Sequence, residues 1–115
     1  MEKFIRFGNV EVEIKSEFNS SYENKKSWKD SKDDLMDREL RLPTLKELKY
    51  IHNLLYLNYG GYFEEGSEYW TSDIGDEWAE GSELESRKTL RMNYQGTPSQ
   101  KYIYSRMRYR GVRNI

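Results

Sequence analysis

The 115-residue chain predicts a single α+β domain, and three patterns carry that expectation. Near the start, Val10, Val12 and Ile14 alternate with Asn9, Glu11 and Glu13, the two-residue period of a half-buried strand. Between residues 27 and 55, two segments instead repeat apolar residues at helical spacing. Alternation returns in "KTLRMNY" (88–94) and "KYIYSRMRYR" (101–110), which places strands after the helices. One domain follows from length, because single domains commonly run ~100–150 residues.

The elements can be justified in order. "FGNVEVEI" (7–14) reads as the first strand and "NSSYENK" as a polar loop. The first helix is "SWKDSKDDLMD" (27–37), with Ser27 as N-cap and Asp30 three residues on, a variant of the capping box. Its apolar stripe is narrow, Trp28, Ser31 and Leu35, so it should bury little beyond Trp28, Leu35 and Met36. "RLPTLKEL" (41–48) marks a corner. Pro43 disfavours helix at Leu42, while Thr44 and Glu47 form a T-x-x-E capping box that opens a second helix. Leu45, Leu48, Ile51, Leu54 and Leu55 line one face of that helix, and "NYGG" (58–61) should end it.

Residues 62–86 then carry nine acids and no base, and read as a long loop interrupted by the strand-like "YWTS" (69–72). Leu90, Met92 and Tyr94 share one face of the next strand, and "QGTPS" (95–99) is a turn by composition. In the last strand Ile103, Met107 and Tyr109 oppose Tyr104, Arg106, Arg108 and Arg110, with a bulge at Gly111.

Composition narrows the function classes. Ten tyrosines, four phenylalanines and three tryptophans supply a core in a chain that is 34% charged. No cysteine is present, which removes disulfides, thiolate nucleophiles and cysteine-based zinc sites. "MEKFIRFGNV" lacks the apolar run of a signal peptide, and no stretch approaches the ~18 apolar residues of a membrane span, so a cytoplasmic protein is expected. Net charge is −1 but unevenly spread: residues 86–115 hold eight basic side chains and no acid. The asymmetry suits a polyanionic partner or attraction between two parts of one domain.

The order strand, two helices, long loop, strands, with the motifs just quoted, resembles the C-type-lectin-like fold. The nearest likeness is to bacterial and phage domains of unknown function related to the C-terminal domain of the Legionella collagen-like protein and to formylglycine-generating enzymes. In those families a Trp-bearing helix precedes an R-L-P-T-x-x-E-L corner, then Y-W-T-S, then a terminal V-R-x-V-R strand. Here the matching residues are Trp28, 41–48, 69–72 and "YRGVRNI" (109–115). The resemblance implies paired first and last strands, with Glu11 and Glu13 facing Arg108 and Arg110. It transfers no catalytic residue. The calcium-binding triplets of lectins are absent, and formylglycine chemistry depends on cysteines this chain lacks.

The candidate binding residues fall into two groups. Asp73, Asp76 and Trp78 lie in "DIGDEWAE" (73–80), whose oxygens could suit calcium but lack EF-hand spacing, so no metal or other cofactor is assigned. Tyr94, Tyr102, Tyr104, Arg106 and Arg108 belong to the C-terminal strands. Trp70 in "YWTS" reads as core, and His52, the single histidine, as a packing residue at the edge of the apolar face. No H-E-x-x-H, G-x-S-x-G or phosphate-loop pattern occurs. The expectation is a non-catalytic binding module, recognising a protein or small polar ligand through the 62–86 loop and distal sheet. The alternative is a polyanion binder, for a sulfated glycan or nucleic acid, using the C-terminal Arg/Tyr strand. A composition rich in Lys, Glu, Asn and Tyr fits a low-GC bacterium or its phage.

Overall fold

The computed structural model describes residues 3–14, 25–56, 63, 65–75 and 85–115. Its architecture is α+β, with two helices and two three-stranded antiparallel sheets. The N-terminal alternation predicts one strand, and the structure has two. β1 (Lys3–Phe7) and β2 (Val10–Ile14) form a hairpin with Phe7 opposite Val10. Gly8, at φ 57°, supplies the left-handed conformation that a two-residue hairpin turn requires.

β6 (Val112–Asn114) pairs with β2, so the two ends of the chain lie side by side. Its register corrects the expected ion pairs. Glu11 lies opposite Arg113 and Val12 opposite Val112, so neither Glu11 nor Glu13 faces Arg108 or Arg110. On its other edge β6 exchanges two backbone hydrogen bonds with Arg41 (2.9 and 2.8 Å).

α1 (Trp28–Asp37) starts where its cap predicts, with Ser27 Oγ accepting from Asp30 N. Ser31 and Leu35 are buried, but Met36 is 60% exposed, because it points away from that stripe. α2 (Leu45–Ile51) opens on the full Thr44–Glu47 capping box and widens into a π-helical turn over His52–Tyr56. The "NYGG" stop lies outside the described residues.

The distal sheet runs β3 (Glu68–Ile74), β4 (Ser86–Arg91), β5 (Thr97–Tyr102) in that order. "YWTS" is therefore the middle of a seven-residue strand, and the turn expected at 95–99 is already β5 from Thr97. The long strand expected over 101–110 does not form. β5 ends at Tyr102, Ser105 N closes a turn on Tyr102 O (2.9 Å), and residues 107–108 make only isolated bridges. The tyrosine–arginine alternation there has no strand to express it.

Two apolar clusters hold the layers together. Val12, Leu48, Ile51, Leu55, Tyr69, Leu90, Met92 and Val112 join α2 to both sheets. Leu35, Leu40, Leu42, Trp70 and Tyr109 pack beneath α1. Trp70 is core, as read from sequence, and its indole donates to Lys26 O (2.9 Å). His52 is buried against Gly96, with Nε2 2.7 Å from Asn93 O, which fits its reading as a packing residue.

Candidate functional site

One recess among the described residues lies where β3 begins. Gly66 N donates to Met92 O (2.7 Å) and Met92 N to Ser67 O (2.9 Å), which carries the β3–β4 pairing past Arg91. Residue 108 closes the free edge of β3: Arg108 N donates to Glu68 O (3.2 Å) and Trp70 N to Arg108 O (2.9 Å). Lys26 and Met107 exchange two further bonds, each 3.0 Å. Three remote segments thus meet, and Lys25, Arg106 and Met107 face Gly66, Ser67, Glu68 and Arg91 around a cleft of about 180 Å³.

Among the described residues it is a cationic recess with one acid at the base. Glu68 is almost wholly buried, and Oε1 accepts from Thr89 Oγ1 (3.0 Å). Its Oε2 lies 3.4 Å from Arg91 and 3.6 Å from Lys101. Arg91 also donates to Gly66 O (2.6 Å), which fixes the guanidinium at the cleft wall. Behind the wall Arg108 donates to Ser67 Oγ (3.2 Å). Arg106 is exposed and makes no hydrogen bond or ion pair among the described residues. Such a recess presents donors and positive charge, while its carboxylate is already engaged.

The sequence-predicted residues do not form one site. Trp78 and Asp76 lie outside the described residues. Asp73 sits in β3 rather than a loop, and its Oδ2 accepts from Leu45 N (3.1 Å) at the start of α2. Tyr94 belongs to the β4–β5 turn, 84% exposed, instead of sharing the buried face of Leu90 and Met92. Tyr102 and Tyr104 are exposed at the other end of β5, which at ~3.4 Å per residue puts them about 17 Å from that turn. Arg108 is buried, only 4% exposed, as is Arg110, whose guanidinium stacks over Phe63 and Tyr69. Burial pushes the Arg110 pKa down. Of the predicted residues that are described, only Arg106 opens on the cleft, with Arg108 behind it. Sequence reasoning missed Lys25, Glu68, Arg91 and Lys101. The basic excess of 86–115 pointed towards Arg91 and Lys101, whereas nothing local marks Lys25.

A second, wider groove of about 630 Å³ runs between α1 and the distal sheet. Trp28 donates to Thr71 O (3.0 Å), and the Arg87 guanidinium lies 4.1 Å over its ring. On the groove wall Arg41 grips Glu47 with two hydrogen bonds of 2.8 Å. That contact raises the Arg41 pKa and lowers that of Glu47. Arg41 is therefore committed to Glu47, while Lys32 and Arg87 lie over the Trp28 ring. Among the described residues no three His, Asp or Glu side chains are grouped to hold a metal ion. No described helix is long and apolar enough to cross a membrane. No family model matches the chain, and no curated protein matches it.

Proposed function

We propose that the chain is a non-catalytic binding module of C-type-lectin-like form that takes a small polar ligand in the cationic cleft. The fold reading rests on element order and on where the motifs fall. The Trp28 helix, the 41–48 corner and "YWTS" in β3 follow one another between terminal strands that pair. The cleft lies where Gly66–Glu68 of the 62–86 stretch meets the distal sheet. The observation that carries the binding reading is Arg106, a guanidinium without a partner among the described residues, at a recess shared with Arg91 and Lys25. A test is to titrate small anionic and neutral polar compounds into the labelled protein and follow its amide NMR signals. Saturable shifts at residues 25, 66–68, 91 and 106 are expected; shifts confined to the Trp28 groove would refute the assignment.

The polyanion reading is weaker, because burial of Arg108 and Arg110 removes two of the three arginines it needs. What remains is Arg106 with Lys25, Arg91 and Lys101. The discriminating variant is Arg106→Ser alone, since replacing all three arginines would disturb packing. Heparin retention that disappears by ~0.5 M salt and in this variant would support a polyanion surface.

A further inference from the structure

We propose that the outer edge of β1 is a self-association surface, on which a second copy of this chain pairs its own β1, antiparallel and centred on Ile5. The phase of the hydrogen bonds leaves that edge open. Glu13 N donates to Gly111 O (2.9 Å) and Ile115 N to Asn9 O (3.0 Å), so the odd-numbered residues of 9–13 turn their backbone groups towards β6. Val10, Val12 and Ile14 therefore bond to Phe7, Ile5 and Lys3. The backbone N–H and C=O groups of Phe4 and Arg6 point the other way, and no other described residue bonds them. The other described sheet edges are guarded. Arg41 bridges β6, Arg108 lies along β3, and β5 carries Pro98 and Lys101. By contrast, β1 has no proline and an unbroken register, and its exposed Arg6 folds back, with Nε donating to Gly8 O (3.2 Å).

This edge is complementary to itself. With a two-fold axis at Ile5, Phe4 lies opposite the partner's Arg6 and Arg6 opposite the partner's Phe4, and each pair exchanges both backbone bonds. That register alone pairs both outward-facing residues within β1. Setting Arg6 opposite its own counterpart brings like charges together, which disfavours the slip. Phe4 already takes a guanidinium, with Arg113 3.8 Å over its ring, so the partner's Arg6 repeats a contact this face uses. On the opposite face the half-buried Ile5 meets its counterpart. Beside it lie Phe7 and the 53% exposed Tyr50, whose rings meet edge-on at 6.2 Å. Pairing covers more of this apolar border and doubles the three-stranded sheet.

The experiment uses the full chain. Sedimentation over about two decades of protein concentration should show a reversible monomer–dimer equilibrium. Amide hydrogen exchange at Phe4 and Arg6 should slow as concentration rises, because only the dimer bonds those N–H groups. Arg6→Pro removes one of them without touching a β1–β2 bond. It should weaken dimerisation about tenfold or more while the far-ultraviolet circular dichroism is unchanged. A second readout does not depend on that variant. Ile5→Cys places two thiols at the axis, in a non-hydrogen-bonded pair whose Cα atoms lie ~4.5 Å apart, within disulfide reach. The chain has no cysteine of its own. Mild oxidation should therefore link Ile5→Cys about tenfold or more faster than Ser99→Cys, a control on the exposed part of β5. A monomer at every concentration, a dimer unchanged in folded Arg6→Pro, or Ile5→Cys linking no faster than Ser99→Cys overturns the proposal. Slow exchange at Phe4 and Arg6 in a monomer means that the chain covers its own edge, and overturns it too.

Discussion

Glu13 is where the local pattern and the folded molecule disagree most. Alternation puts it on the solvent side of β2, yet it is 1% exposed. Its carboxylate accepts from Arg38 (2.7 Å) and from Gly111 N (2.8 Å), so one acid joins β2, the end of α1 and the approach to β6. Arg38 also holds Asp34 (3.1 Å), which accepts from the Tyr109 hydroxyl (2.7 Å). Removing one partner of a buried pair strands the other, so Glu13→Gln should cost roughly 2 kcal/mol or more in urea unfolding. A loss below about 0.5 kcal/mol would mean that the contacts are incidental. The same network sets an acid limit. Burial alone would raise the Asp34 pKa, but Tyr109 and Arg38 hold it below its ordinary value of 3.8. Arg41 likewise holds Glu47 below 4.5. A depressed folded pKa contributes stability that is complete above the ordinary value and lost as pH falls through the folded one. The urea midpoint should therefore decline below pH ~4.5, and Asp34→Asn should flatten part of that decline.

At the scale of elements, the 41–48 corner shows how one short sequence serves two sheets. Arg41 bridges β6, Pro43 O accepts from Ser72 N in β3 (2.9 Å), and Thr44 caps α2. Asp73 adds a second acceptor at the same helix end, and Arg41 holds the Glu47 of the capping box. Thr44→Ala should cost about 1 kcal/mol, measured as a lower urea midpoint at unchanged slope. No change would show that Asp73 alone satisfies the helix start. Gly111 marks another junction. A Cβ there would lie 2.7 Å from Leu35 and 2.8 Å from Leu40, so this backbone must pass close beneath α1. The free edge of β5 is blunted by Pro98 and Lys101, residues that discourage edge-to-edge pairing.

Across the whole molecule, closure depends on β6, which lies between β2 and Arg41 and buries Val112 completely. Deleting Val112–Ile115 exposes both neighbouring edges and opens the larger core. The truncated chain should lose its cooperative thermal transition; a sharp transition within a few degrees of the full chain would refute this role. The charge asymmetry also resolves at this scale. Arg113 meets Glu11, Arg87 meets Glu85, and Arg91 and Lys101 share Glu68, while neither Lys88 nor Arg106 has an ion pair among the described residues. Much of the basic excess thus binds the fold to itself, and Arg106 opens on the cleft.

The amino-acid sequence alone determined the α+β order, both helix starts, the helix stripe of Ser31 and Leu35 and the burial of Trp70. These follow from capping, proline geometry and apolar spacing, all set by residues a few positions apart. Its Gly8–Asn9 turn was equally local and legible, though outweighed by the alternation after it. Tertiary structure decided the rest: the burial of Glu13, Arg108 and Arg110, the break-up of the last strand, and the cleft itself. Lys25, Gly66–Glu68, Arg91 and Arg106 are far apart along the chain. They meet only because backbone bridges seat residues 26 and 107–108 beside β3, and no short-range pattern encodes that adjacency.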